Sequence, residues 1–273
     1  MAWKQGRVVL LLVSASVAIC FAVFWIEPLA ALNVIERLTP NVTYRVRTNL
    51  PLVALSFDDG PNPAFTPQVL DILRRHEAKA TFFLIGERAL QHADLVARIK
   101  ADGHEVGNHY YKNGSTLLHG DARFVCYLEQ TEKAVGPMQE PNLFRAPGGI
   151  AWPRQLRLAQ ARGYTCVLGS AYPHDPMHPP VWYITWLVEK NLVPGAIVIL
   201  HDGISDPRRS IQALPQILDA GRRKGFSFVS IGELMRASRK TTEQPNLPHI
   251  TKPPRRTKPA SDKRPTLQQL LTC

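Results

Sequence analysis

Residues able to do chemistry fall in a few short stretches of this 273-residue chain. Asp58-Asp59 sets two carboxylates side by side, behind the apolar run 52–57 and ahead of Gly60-Pro61. Side chains alternate along a strand, so the two are expected to face opposite ways and do different work. One can bind a cation and the other can take a proton. His109 and Asn113 are four residues apart, one helical turn, so both could reach one point. An Asp, a His and a third oxygen or nitrogen donor make a three-ligand metal site with an open position. A water in that position has a lowered pKa and becomes a nucleophile. His201 is a candidate general acid on the opposite side, worth ~10²–10⁴-fold. Each residue also has a plainer reading. A histidine at a strand end is usually a hydrogen-bonded structural residue, paired Asp before Gly-Pro is usual turn chemistry, and Arg145 could be an ordinary ion-pair partner. The joint placement at one face of one sheet is what argues for a site.

The elements that must position these residues alternate. Short apolar runs at 52–57, 80–85, 105–108, 143–145, 165–169, 196–200 and 228–231 read as strands. Helical patterns fall between them at 67–73, 89–101, 122–135, 154–161, 184–190 and 211–224, with a short helix to Arg236 at the end. Seven strands alternating with helices predict parallel pairing with right-handed crossovers, in an α/β barrel or a doubly wound sheet. The uninterrupted run 196–200 predicts a strand buried on both faces. In either architecture chemistry belongs at the C-terminal ends of the strands. Asp58, Asp59, His109, Arg145, Asp175, His201 and Asp202 all fall at or just after such ends.

The net charge of +11 would point to nucleic acid if it lay on the fold. It does not: residues 51–235 carry 19 basic and 18 acidic side chains, whereas 236–273 carry nine basic and two acidic. Residues 237–273 read as a basic, Pro-rich disordered tail, either a solubilising extension or a contact for anionic envelope polymers or lipid headgroups, and no nucleic-acid partner is expected. At the other end, Val8 to Ile26 is an uncharged run of 19 residues, preceded by Lys4 and Arg7 and followed by Glu27. That length spans a bilayer and exceeds a usual signal-peptide core. Residues 1–32 are therefore expected to be an anchor, with a single transmembrane span at about 8–26, the N-terminus cytoplasmic and the rest extracytoplasmic. Secretion after signal cleavage is the alternative. Residues 33–50 read as a linker and 51–236 as the catalytic domain.

Ser56-Phe57-Asp58-Asp59-Gly60-Pro61 resembles the first motif of the polysaccharide deacetylase family, also called the NodB-homology domain or carbohydrate esterase family 4. The other motifs follow in family order over about residues 50–235. Asn108 to Asn113 resembles a His-x-x-x-His metal motif, and Phe144 to Gly149 an Arg-Pro motif. Tyr172-Pro173-His174-Asp175 lies where Asp-x-x-Asp-Trp is expected, and Ile199 to Gly203 resembles Leu-x-His. The resemblance implies a deformed (β/α) barrel of about seven parallel strands, here preceded by one transmembrane helix. It implies a hydrolase that removes N-acetyl or O-acetyl groups from an envelope polysaccharide or oligosaccharide. One divalent metal ion, zinc before cobalt, manganese or nickel, would sit on Asp59, His109 and Asn113. Asp58 would be the general base, held by Arg145, and His201 the general acid, tuned by Asp175. Ile199, Tyr172, Pro147 and Gly148 would contact the substrate.

Two departures stand out. The third ligand is usually His, and an amide oxygen at Asn113 is a weaker donor. Deamidation at Asn113-Gly114 would make it Asp, and His119 or His104 could substitute, although His104 precedes strand three and is expected at the wrong end. In the fourth motif Tyr172 replaces Asp and Pro176 replaces Trp, leaving Tyr172, Trp182 or Trp152 as candidate walls. Asn41 and Asn113 open glycosylation sequons. Cys126 and Cys166 are expected to be buried thiols, with a bridge between them left open. Two other readings stay open: a deformylase or deacylase of a lipid-linked sugar, and a glycan-binding relic with a weakened metal site.

Overall fold

Leu52–Gly60 (β1) is the axis of the fold, because its alternation sorts side chains into two environments. Val53, Leu55 and Phe57 face one way and pack with Leu70 and Leu73, Ile184 and Val188, and Leu214 and Ile217. Ala54 faces the other way with Phe83, Val167 and Ile197. The period of two thus puts Ser56 and Asp58 on the same inner face as Ala54. Ile197–His201 (β6) is buried along its length, as an apolar run between a sheet interior and a helical layer should be.

The computed structural model describes residues 13–242, apart from 18, 19, 22, 24 and 28. Its other strands are Thr81–Leu84 (β2), Glu105–Asn108 (β3), Leu143–Phe144 (β4), Thr165–Cys166 (β5) and Ser227–Val229 (β7). All named pairings are parallel, in the order β5-β4-β3-β2-β1-β6, with β7 on the first residues of β1. A bridge from Ala171, just after β5, to Val198 joins the two edges and curls the sheet into a barrel. The helices include Leu29–Leu38 (α1), Thr66–Arg75 (α2), Gly86–Gln91 (α3), Ala93–Ala101 (α4), Asp121–Val135 (α5), Pro153–Gln160 (α6), Val181–Asn191 (α7), Arg208–Arg223 (α8) and Ile231–Thr242 (α9). Ile231, Leu234 and Met235 of α9 plug the end of the barrel opposite the site. Glu105 ties that helix down by accepting from Thr81 Oγ1 (2.6 Å) and the Gly232 amide (2.9 Å).

The expected helix 89–101 is two helices, broken at His92, where ψ of +53° leaves the helical region. The strand expected over 165–169 keeps only two residues, because the chain then swings across to meet β6. The final helix runs to Thr242, six residues past the expected boundary, and residues 243–273 of the expected tail lie outside the described residues. Residues 33–50 do not behave as a linker. They include most of α1, and Thr43 and Arg45 bridge to Val167 and Ala196 of the barrel. Part of the expected span 8–26 also lies outside the described residues. Among the described residues no helix is long and apolar enough to cross a membrane. Cys126 is disulfide-bonded while Cys166 is free and buried, so the two are not joined to each other.

Candidate active site

The ends of β1 and β6 bring Asp58 beside His201, its register partner across the parallel ladder. Asp58 is buried and accepts from Arg145 Nη1 at 2.6 Å. Arg145 is among the largest fully buried side chains of the chain. Its remaining donors go to Ser56 Oγ (2.9 Å) and the carbonyls of Val167 (3.3 Å) and Leu168 (3.2 Å), and its guanidinium lies 4.1 Å from the Phe83 ring centroid. Burial draws the Arg145 pKa down against the opposing pull of Asp58. A buried cation with this many acceptors is a fixed counter-charge, and it holds one oxygen of Asp58 while leaving the other free.

Alternation along the strand predicts that Asp58 and Asp59 face apart, and here the backbone overrides it. Asp59 has φ of +68°, and the β1–β2 register shifts between Asp58 and Gly60. Asp tolerates the left-handed region better than most residues. The bulge turns both carboxylates toward His109: Nε2 is 3.4 Å from Asp59 Oδ1 and 4.0 Å from Asp58 Oδ2. The other ring nitrogen of His109 lies 2.9 Å from the Arg145 carbonyl, which can only accept. Nδ1 therefore donates to that carbonyl, and Nε2 is aimed at the carboxylates, where it can donate to Asp59 or, without its proton, ligate a cation. Burial opposes charge on Asp59, but the hydrogen bond and charge of His109, then His201 and Arg88, hold its carboxyl below the usual range. Asp59 and His109 thus fit two ligands of a cation. The third expected ligand, Asn113, sits on the exposed segment 112–115 and makes no hydrogen bond to either. Among the described residues no group of three His, Cys, Asp or Glu side chains is placed to hold a metal. His119 instead meets the Tyr110 hydroxyl at 2.9 Å, and His104 lies at the start of β3, where it receives the Ala80 amide.

His201 is held from behind. Its Nδ1 lies 2.9 Å from Asp175 Oδ1, while Asp175 Oδ2 accepts from the His201 amide (2.9 Å) and Ser210 Oγ (2.6 Å). Burial alone would lower the ring's pKa, but the charge and hydrogen bond of Asp175, backed by Asp58 and Asp59, push it up to about 9. His201 is thus a cation at neutral pH, with Nε2–H left for a substrate.

Arg88 and Thr66, which the sequence did not single out, join Asp202 and Gly203 in holding this arrangement. Arg88 Nη1 donates to the Asp59 carbonyl at 2.5 Å and to the Gly203 carbonyl, stapling the loops after β1 and β6. Thr66 Oγ1 donates to Asp202 Oδ2 at 2.5 Å. Burial pushes the Asp202 carboxyl up to about 7, and its Oδ1 has no hydrogen-bond partner. Gly203 is required as glycine, since a Cβ there would lie 1.9 Å from the Asp59 carbonyl oxygen. Asp202 and Gly203 follow the expected general acid directly, and close backbone approach such as that of Gly203 leaves no periodic signal to read.

A cavity of about 590 Å³ opens over Asp58, Arg145 and His201. Ile199, Tyr172 and Gly148 line it, whereas Pro147 is buried and does not. Tyr172 supplies the aromatic wall, its ring 6.0 Å from that of His201, while Trp152 and Trp182 are exposed elsewhere. The opposite wall was not expected at all. Cys20, Val23, Glu27, Ala31, Leu32 and Ile35, from the N-terminal segment, close the cavity.

Residues 45–167 match the family model for polysaccharide deacetylases. The chain is 40% identical over 201 residues to a peptidoglycan-N-acetylglucosamine deacetylase of Bacillus cereus, covering 72% of this chain and 94% of that one. It is 34% identical over 206 residues to a chitooligosaccharide deacetylase of Sinorhizobium fredii, covering 68% and 93%. Among solved structures it superposes on a peptidoglycan N-acetylglucosamine deacetylase bound to 4-naphthalen-1-yl-N-oxidanyl-benzamide, with a TM-score of 0.68, 30% identity, and 72% and 93% of the two chains covered. A cobalt-bound family 4 acetyl xylan esterase from Clostridium thermocellum matches with a TM-score of 0.62, 28% identity, and 68% and 91% covered. With a curled parallel barrel, a buried Asp-Arg pair and an Asp-tuned histidine over one cavity, and with relatives of this closeness, the chain belongs to the polysaccharide deacetylase family of hydrolases.

Proposed function

We propose that this protein removes the N-acetyl group from N-acetylglucosamine units of an envelope glycan, peptidoglycan or a chitin-like oligosaccharide. The observation that carries the reading is the pair of opposed, differently tuned groups across one cavity: Asp58 against Arg145, and His201 against Asp175. Amide hydrolysis needs a base for the attacking water and an acid for the leaving nitrogen. Arg145 occupies one oxygen of Asp58 and leaves the second, 4.0 Å from His109 Nε2, to take the proton of a water. His201 gives its Nε2 proton to the departing amine, and Asp175 holds the ring in the tautomer that allows it.

Asp59 and His109 would hold a divalent cation, zinc in first place. When bound, that ion supplies Lewis-acid polarisation of the acetyl carbonyl. The segment 8–26 would anchor the chain in the membrane with the barrel outside, supported by its 19 uncharged residues between Arg7 and Glu27. The basic stretch after Thr242 would lie against anionic polymer or headgroups.

The test is acetate release by the full-length protein from N-acetylated chitooligosaccharides and peptidoglycan fragments. Asp58→Asn and His201→Gln should each lower kcat by about 10²–10⁴-fold while leaving the folded state intact by circular dichroism. Undiminished release in either variant would remove that residue from the mechanism. No release from any acetylated glycan by the metal-supplemented parent protein would remove the activity.

A further inference from the structure

The wall formed by the N-terminal segment has a chemistry of its own. Val23, Ala31, Leu32 and Ile35 face Leu168 and Ile199 across the cavity. Asp58, Arg145 and His201 lie at the floor. The polar groups at one rim are engaged with each other: Glu27 Oε2 accepts the Tyr172 amide at 2.8 Å, and Oε1 lies 3.7 Å from His174 Nε2. The wall is also tied down. Tyr183 Oη donates to the Trp25 carbonyl and Lys190 Nζ to the Ile26 carbonyl, both at 2.6 Å. The Trp25 ring packs 5.2 Å from His174 and 5.6 Å from Tyr183.

An acetyl methyl needs a space close to the roughly 30 Å³ share of one water. The cavity is about 590 Å³, in the range of a site for a whole small molecule. Its apolar lining includes Ile199 and Leu168, which share the cavity with the catalytic groups, and Val23, Ala31, Leu32 and Ile35 of the N-terminal wall. An alkyl chain against Leu168, Ile199 and Leu32 would bury apolar surface that sugar hydroxyls would leave unmatched. We propose that the chamber is an acyl-chain subsite, so that the enzyme hydrolyses amides of glucosamine whose acyl group is longer than acetyl. The inference rests on the deacetylase reading and extends its substrate class. The reaction balances as ordinary amide hydrolysis. A C–O bond forms from water to the acyl carbon, the C–N bond breaks, Asp58 takes a proton from the water, and His201 supplies one to the nitrogen. A fatty carboxylate and an amino sugar leave.

The experiment uses the full-length protein with N-acetyl-, N-butanoyl-, N-hexanoyl- and N-octanoyl-chitobiose, and with octyl N-acetylglucosaminide. Hydrolysis is followed by free amine, and binding by calorimetry on the Asp58→Asn variant. Affinity should rise about fourfold per added methylene until the chamber is filled. Ala31→Trp, or the milder Leu32→Phe should the first not fold, should cut the octanoyl-to-acetyl affinity ratio at least tenfold. A flat series, exclusion of the octanoyl compound, or an unchanged ratio in the folded variants overturns the proposal. So does tight binding of the octyl glycoside with the longer amides excluded, which would give the chamber to an aglycone. If no substrate is hydrolysed, the deacetylase reading fails, while the binding series still decides the subsite.

Discussion

Asp175→Asn isolates the contribution of the buried carboxylate to the general acid. In the parent protein the His201 ring is pushed from 6.5 up to about 9, against a burial effect that works the other way. That rise corresponds to roughly 3 kcal/mol of preference for the imidazolium, at 1.36 kcal/mol per unit. Asparagine is nearly isosteric. Its oxygen can still accept from the His201 amide and Ser210 Oγ, the two partners of Asp175 Oδ2. Its NH₂ then faces Nδ1, which becomes an acceptor, so the ring keeps Nε2–H but loses the charge that sustained the cation. With the Asp175 attraction gone, burial is opposed only by the weaker pull of Asp58 and Asp59, and the ring's pKa falls. The assay is kcat/KM against pH on an N-acetylated chitooligosaccharide. The parent should stay active until its alkaline limb near pH 9. In Asp175→Asn that limb should move by two or more pH units toward acid, with kcat at neutral pH down by about 10²-fold or more. Stability should move with the same sign. A histidine whose folded pKa is raised adds stability that is fully present below pH 6.5 and is lost as pH rises through about 9. The gap in stability between parent and variant should therefore be wide at pH 6 and narrow at pH 10. Coincident alkaline limbs would refute the assignment of His201 as the acid.

Gly203→Ala, whose Cβ would lie 1.9 Å from the Asp59 carbonyl oxygen, should displace the loop carrying both carboxylates; expected are about 2 kcal/mol or more lost in urea unfolding and near-complete loss of acetate release. Arg145→Leu leaves Asp58 buried without its counter-charge and should cost about 3–5 kcal/mol; Arg145→Lys, a point charge without the fork, should recover part of this by thermal unfolding. Asp59→Asn and His109→Gln should each lower bound divalent metal by about tenfold or more in equilibrium dialysis. Asn113→Ala, on the exposed segment 112–115, should leave bound metal unchanged, and a clear loss would bring that segment into the site.

What the sequence made legible follows from where physical signals are local. The strand run 52–57 and the alternation beyond it place Asp58 inward, and the wholly apolar 196–200 places His201 at the end of a buried strand. The Asp58–Arg145 and His201–Asp175 pairs then follow once the barrel closes. The direction in which Asp59 faces is not legible, because alternation assumes extended backbone and a positive φ at an Asp carries no periodicity. Arg88 and Thr66 lie in helices or loops remote in sequence, and an arginine that caps two carbonyls looks like any surface arginine until the loops meet. The N-terminal run is the instructive case. Nineteen uncharged residues read the same whether the apolar faces meet lipid or a protein cavity, since hydropathy reports that a surface avoids water and not what it meets instead. Docking was encoded instead in single residues: Glu27, which reaches the Tyr172 amide, and Tyr183 and Lys190, which hold the Trp25 and Ile26 carbonyls. The two uses compete for the same residues. Cys20 and Val23 line the cavity and the Trp25 ring packs on His174 and Tyr183, so a bilayer span would have to end before Cys20, and the later part of the run shapes what the enzyme can bind.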